Sequence, residues 1–420
     1  MAKHPEWSRS RLWSALSVGA ALGVAAATAG CGGKKTPSAA AQVRSPAVIK
    51  DVGAKPTEAE AKKFAEDLIA AVETDDFPSF ERVVDCGAML DLAAHGVDVP
   101  ADWMRGFRTG FLKSVNRPGG LFERLASIPK SGGSFTLLQV RGLDDRPSAL
   151  IRVIDDTLNV DYFDFKLARG PDGKVRAVDF YEVQTGENFS KTLRGMFLPL
   201  AADKSRNVIQ KLLSQESEMV KALPKIKRMA DAIRENKATD ALAAFDSLPP
   251  GVKKEKTIML LRLHAAQLAE NDTLYLRVTD ELASSFPNDP CVDVNSINAC
   301  SIRKEYDKAL AALGRLEKQV AGDPYLNVLR ASFLLEQGKH DDAAQAVQKA
   351  VDAEPTLQPA HVSRFEIANM RKKYADMVRF LGEYEKTFDE KLGEFETEPD
   401  FAGFVASAEY KEYEKKSKAE

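Results

Sequence analysis

The chain has 420 residues, 44% of them hydrophobic and 29% charged, so it is long enough for more than one hydrophobic core. Its 59 Lys and Arg are evenly mixed with 62 Asp and Glu, a balance that argues against nucleic acid, which would need a concentrated basic face. Four cysteines imply no disulfide framework: beyond Cys31 only Cys86, Cys291 and Cys300 remain, and the last two would lie about 13.5 Å apart along one helix.

The N-terminus begins basic with Lys3, Arg9 and Arg11, and residues 12–29 form an Ala/Gly/Leu-rich run. The run ends Thr28-Ala29-Gly30-Cys31 and turns polar at Gly32-Gly33-Lys34-Lys35, the layout of a secretory signal peptide. It resembles the bacterial lipoprotein signal, whose small residues precede an invariant cysteine. That resemblance implies cleavage after Gly30 and a diacylglyceryl group on the Cys31 thiol. Thr28 departs from the Leu or Val usual at its place. The plain alternative is a signal anchor with an incidental cysteine, but a membrane helix wants about 20 predominantly apolar residues, and this run is shorter and rich in Ala and Gly. On the lipoprotein reading residues 1–30 are the leader and the protein is lipid-anchored at a cell membrane. Gly32 after Cys31 points to the outer membrane facing the periplasm, with the inner membrane as the alternative. Without residues 1–30 the net charge is −5.

Residues 31–56, rich in Gly, Ala, Pro, Ser and Lys, read as a flexible tether. Folding is expected to start at Thr57, which with Glu60 forms a capping box ahead of Phe64, Leu68, Ile69 and Val72 at helical spacing. Further helices are expected over 77–84, 86–94, 103–112 and 120–126. The character changes at Ser134. Residues 135–141, 149–155, 159–168 and 174–185 read as strands, and Gly170-Pro171-Asp172-Gly173 is a hairpin signal between the last two. Phe163, Phe165 and Leu167 are expected on one face, with Val175, Ala177, Asp179, Tyr181 and Val183 sharing a face of the next strand. Helices followed by antiparallel strands make residues 57–198 one α+β domain. Its element order is similar to the NTF2-like superfamily, which implies helices packed on a curved antiparallel sheet and a conical cavity. A polar stretch containing Gly195 and Pro199 then leads into a connecting helix within 199–221.

From residue 222 a period of 34 sets in. Laid in five rows, 222–391 give apolar columns such as Ile226, Leu260, Val294, Val328 and Val362, or Met229, Leu263, Ile297, Ala331 and Phe365. At this composition one column of five is all apolar about 2% of the time by chance, so several together mark a repeat. The row 324–357, with Ala331, Gly338, His340, Asp341, Ala343, Ala350 and Pro355, resembles the tetratricopeptide repeat (TPR). That resemblance implies five TPR-like repeats in an all-α solenoid, small residues where helices cross, and a groove lined by the first helix of each repeat. Asn236, Glu270, Lys304 and Lys372 stand where Gly338 fits the family. Residues 392–420 read as a capping helix and tail, with Phe401, Phe404, Val405 and Tyr410 expected to cover the last repeat.

Catalytic motifs are missing: no His-Glu-x-x-His, no Gly-x-Ser-x-Gly, no Cys-x-x-Cys, and histidines 4, 95, 264, 340 and 361 at no ligand spacing. No cofactor or metal is expected. The acidic group Asp155, Asp156, Asp161 and Asp164 lacks calcium-loop spacing and reads as turn and strand residues. Carried over by position, the candidate groove is His264, Asn298, Tyr325, Ser332, Glu336 and Glu366. The candidate cavity of the α+β domain is Arg152, Asp164, Asp179 and Tyr181. The expected function is non-enzymatic: a tethered scaffold binding an unknown protein or peptide, with no nucleic acid. The alternative is a small-molecule or weak acid–base site in the NTF2-like domain, with Asp179 paired to Arg152 as the bland reading of that strand.

Overall fold

The computed structural model describes residues 54–142, 146–156, 158–202, 216–287, 289–393 and 395–417. Gly30, Cys31, the leader, most of the tether and residues 203–215 of the connecting segment lie outside the described residues. The rest fall into two compact units that divide between Asn295 and Ser296.

The first unit opens with α1 (Glu58–Glu73), whose N-cap Thr57 accepts from the Glu60 backbone while the Glu60 carboxylate accepts from Thr57 N at 2.8 Å. This is the reciprocal capping box, and it satisfies two otherwise orphaned donors. Asp76 and Asp85 cap α2 (Phe77–Val83) and α3 (Cys86–Ala94) by accepting from Ser79 N and Ala88 N. Helices α4 (Ala101–Ser114) and α5 (Leu121–Lys130) complete the helical layer before the sheet.

Strands β1 (Ser134–Arg141), β2 (Ser148–Ile154), β3 (Val160–Arg169), β4 (Val175–Glu182) and β5 (Glu187–Asn188) form an antiparallel meander in the order β1-β2-β3-β4-β5. The hairpin between β3 and β4 closes with Gly170 N donating to Lys174 O at 2.9 Å and Gly173 at φ +76°. One sheet face carries Ile151, Val153, Phe163, Phe165, Leu167, Ala177 and Phe180 into a single core with Phe64, Leu68, Phe80 and Phe122 from the helices. Each buried Phe contributes about 1.5–3 kcal/mol. The rings interlock, with Phe64–Phe165 at 5.8 Å and Phe80–Phe122 at 5.1 Å.

Two expectations for this region are corrected. Ala177 and Asp179 do not share a face: a bulge between Lys166 and Leu167 pairs Leu167 with Ala177 but Lys166 with Asp179. The extra residue turns Ala177 into the core and Asp179 to the opposite side. The segment after the sheet is not a polar lead-in but helix α6 (Phe189–Ala202), with Gly195 and Pro199 inside it. Its Phe189 stacks on Phe180 at 4.9 Å and Phe197 is fully buried, so apolar burial overrides the two helix-weakening residues.

Ten of the later helices come in pairs. They are Glu216–Arg234 with Ala238–Asp246, Lys256–Leu268 with Asp272–Ser285, Pro290–Ile302 with Tyr306–Gln319, Tyr325–Glu336 with His340–Ala353, and Gln358–Met370 with Tyr374–Phe388. The second helices start at residues 238, 272, 306, 340 and 374, 34 apart each time. The columns read from the sequence are inside: Ala241, Tyr275, Ala309, Ala343 and Met377 are all buried, as are Met229, Leu263, Ile297, Ala331 and Phe365.

The turn between paired helices is the same in every row. Asn236, Glu270, Lys304, Gly338 and Lys372 all adopt positive φ, from 50° to 72°. The following amide donates back to Ala232, Ala266, Cys300, Leu334 or Ala368 O, the Schellman pattern that satisfies helix-end carbonyls. Four of the five hold this conformation without glycine, at about 1 kcal/mol each. At the far end Phe395, Phe404 and Tyr410 join Phe365, Met377 and Leu381 in one cluster, with Phe401 and Val405 packed against it. The apolar face of the last hairpin is thereby covered.

Candidate functional site

The chemistry of the first unit concentrates where the end of the sheet meets the helices that follow. After β4 the chain turns through Val183–Gly186, and Gly186, at φ +65°, presses against Asp289. A Cβ at Gly186 would lie 2.2 Å from Asp289 Oδ1, so any side chain there would strain the backbone and push the Asp289 carboxylate aside. Lys256, 7% exposed at the start of its helix, donates to Gly186 O at 3.2 Å and Asp289 Oδ2 at 2.7 Å, and pairs with Glu187 at 3.1 Å. Burial opposes its charge, but Asp289 and Glu187 outweigh burial and hold the ammonium above its usual range. Asn295 Nδ2 donates to Gln184 O at 3.2 Å, and Tyr275 Oη donates to Asn295 O at 3.2 Å.

Beneath this turn are four ionisable side chains from four elements. Asp161 of β3 and Glu182 of β4 are 7% and 2% exposed, and their carboxyls stand side by side. Asp161 Oδ1 also accepts from Tyr162 N at 2.7 Å and Gln184 N at 3.2 Å. Arg124 of α5 brings a charge that favours ionisation of both carboxyls, and its Nη1 is buried without a hydrogen-bond partner. His264, from the helix Lys256–Leu268, places a buried Nδ1 near it, also unpartnered, as are Glu182 Oε2 and Gln184 Oε1. Burial pushes both carboxyls up, Glu182 further because Asp161 stands beside it. Burial, reinforced by the Arg124 charge, brings His264 down to about 4, so its ring is neutral at pH 7.

One guanidinium faces two carboxyls and a neutral imidazole, so the cluster is charge-balanced only while the carboxyls keep one proton between them. Two adjacent buried carboxylates would leave one charge uncompensated, which is costly in a low-dielectric interior.

The expected cavity residues lie on the other side of the sheet. Arg152, 1% exposed, donates from Nη2 to Thr136 Oγ1 at 3.1 Å, and Asp164, 8% exposed, pairs with Lys166 at 2.6 Å. Asp179 accepts from Ser190 N at 3.0 Å, Ser190 Oγ at 2.5 Å and Phe180 N at 3.0 Å, an arrangement that caps α6. Burial raises the Asp179 carboxyl despite these donors. Tyr181 is half-buried and opposite Asp164 in the register. A cleft of about 570 Å³ between α1, α2 and the β3–β4 turn, and one of about 890 Å³ beside Phe245, Arg262 and Glu281, do not include these residues.

The expected groove residues are dispersed in environment. His264 belongs to the first unit and enters the buried cluster described above. In the second unit Asn298 and Tyr325 are buried, Ser332 and Glu366 are half-buried, and Glu336 is exposed, accepting from Tyr306 Oη at 3.3 Å. The signal that would have found the junction was strand parity: Asp161 is two residues from Phe163, and Glu182 two from Phe180, on the core-facing side. Arg124 carried no such signal, because only the tertiary fold brings α5 to that end of the sheet.

The architecture defines a class, an α+β domain with an antiparallel sheet followed by an all-α array of helical hairpins. Comparison with protein-family models, curated proteins and solved structures gives no match. Among the described residues no helix is long and apolar enough to cross a membrane. No group of three His, Cys, Asp or Glu side chains among them could hold a metal ion.

Proposed function

We propose that the chain is a lipid-anchored bacterial envelope protein, tethered through Cys31, that acts as a non-enzymatic scaffold for a protein or peptide. In this reading the α+β domain is NTF2-like and the hairpins are TPR-like repeats, whose first helices offer the recognition surface. The observation that carries it is the 34-residue recurrence of the hairpins: columns such as Ala241, Tyr275, Ala309, Ala343 and Met377 are buried throughout, while Ser332, Glu336 and Glu366 keep polar side chains at least partly open to solvent. Stacked hairpins of this kind use their first helices as extended binding surfaces.

Site-specific photocrosslinking in the envelope tests it. A crosslinker at Glu336 or Glu366 is expected to recover one recurring adduct that a crosslinker at Gln345 or Lys349, exposed on a second helix, does not. No recurring adduct, or the same adducts from all four positions, counts against the scaffold. Cys31→Ser is expected to move the protein from the membrane fraction to the soluble one, and retention in the membrane would defeat the lipid anchor.

A further inference from the structure

We propose that the Asp161–Glu182 pair is a proton-dependent latch: while the two carboxyls share a proton the end of the sheet stays docked on the helix Lys256–Leu268, and losing that proton loosens the junction. The two carboxyls stand side by side, both are buried, and they come from neighbouring strands, so neither can turn to solvent without breaking the ladder. Two adjacent buried carboxyls beside one guanidinium hold one proton between them, because a second buried carboxylate charge would go uncompensated. The charged group facing the pair is Arg124 of α5, which in turn feels Glu123 and lies near His264 of the docked helix. Lys256, Glu187 and Asp289 form a separate ion network at the other side of the Val183–Gly186 turn.

Four buried polar atoms in the cluster, Arg124 Nη1, Glu182 Oε2, Gln184 Oε1 and His264 Nδ1, lack hydrogen-bond partners. A cluster so incompletely satisfied has little reserve against an added charge. Its location gives the proton leverage. Asp161 Oδ1 holds Gln184 N, and Gln184 O holds Asn295, so the carboxyl pair is one hydrogen bond from the turn that joins the sheet to the helices.

The direction follows from linkage. The docked state keeps a proton that the opened state, with ordinary carboxyls near pH 4, releases, so docking weakens as the pH rises. His264 works in the opposite sense, since its lowered value makes the docked state bind less proton than the opened one between about 4 and 6.5. The two effects offset each other at acid pH. Above about 6.5 the carboxyl pair acts alone, and one linked proton makes opening about tenfold more frequent per pH unit until the pair is fully ionised.

Hydrogen exchange on the full chain, corrected for the intrinsic pH dependence, reads this out. Amides of residues 183–186 and 256–268 are expected to lose protection about tenfold per unit above pH 6.5. Amides of 340–353 should show no such slope. Glu182→Gln stands beside Asp161 with no proton to lose, and is expected to flatten the slope, as is Asp161→Asn. Equal slopes in the wild type and both variants overturn the latch. Should the variants not fold, infrared spectra of the wild type decide it. A protonated-carboxyl C=O stretch present at pH 7 and lost on alkalinisation supports the pair, and its absence at pH 7 overturns it.

Discussion

The helical hairpins and the sheet end of the α+β domain solve the same problem, burying chain away from water, in opposite ways. In the hairpins each buried column is filled by small or apolar side chains, and the contacts that matter are made between helices adjacent in sequence. At the sheet end two buried carboxyls meet a half-buried guanidinium and a half-buried imidazole from α5, β3, β4 and a later helix, 140 residues apart at the extremes. Repetition tolerates local strain, as the four non-glycine left-handed turns show, because every row has the same remedy at hand. The junction tolerates little, because each of its members depends on all the others.

Arg124→Met sharpens this contrast most. Among the described residues it removes the cation that faces the two buried carboxyls, and a loss of about 3–5 kcal/mol is expected, measured by urea unfolding. A loss under about 1 kcal/mol, ordinary for a surface arginine, would show the cluster to be solvated. Gly186→Ala should follow at about 2–3 kcal/mol, from a strained backbone and the collision with Asp289. If its melting temperature matches the wild type, the turn does not dock as tightly as described. The smallest effect runs the other way. Lys304→Gly or Glu270→Gly should stabilise by about 0.5–1 kcal/mol each, because relief of the left-handed strain exceeds the entropy that glycine adds to the unfolded chain. Gly338→Ala should cost a similar amount, and a stabilising result there would contradict the shared turn geometry.

The amino-acid order alone determines where the hairpins recur. The 34-residue period, the buried columns and the turn position are visible because helix pairing depends on local spacing, and the same spacing returns five times. It also determines the capping box at Thr57 and the turn at Gly170–Gly173, where the chemistry lies within four residues. The tertiary structure alone decided which face of β4 carries Asp179, because one bulge residue inverts the alternation and no composition signal marks it. It also decided that α6 forms through Gly195 and Pro199, since burial of Phe189 and Phe197 outweighs local preference. His264 shows the difference most clearly. Its place in the repeat was legible from the period, but its neighbour was not, because Arg124 approaches it only once the α+β domain has folded. Electrostatics in a protein interior depends on distance and burial, and neither is written in the spacing of residues along a chain.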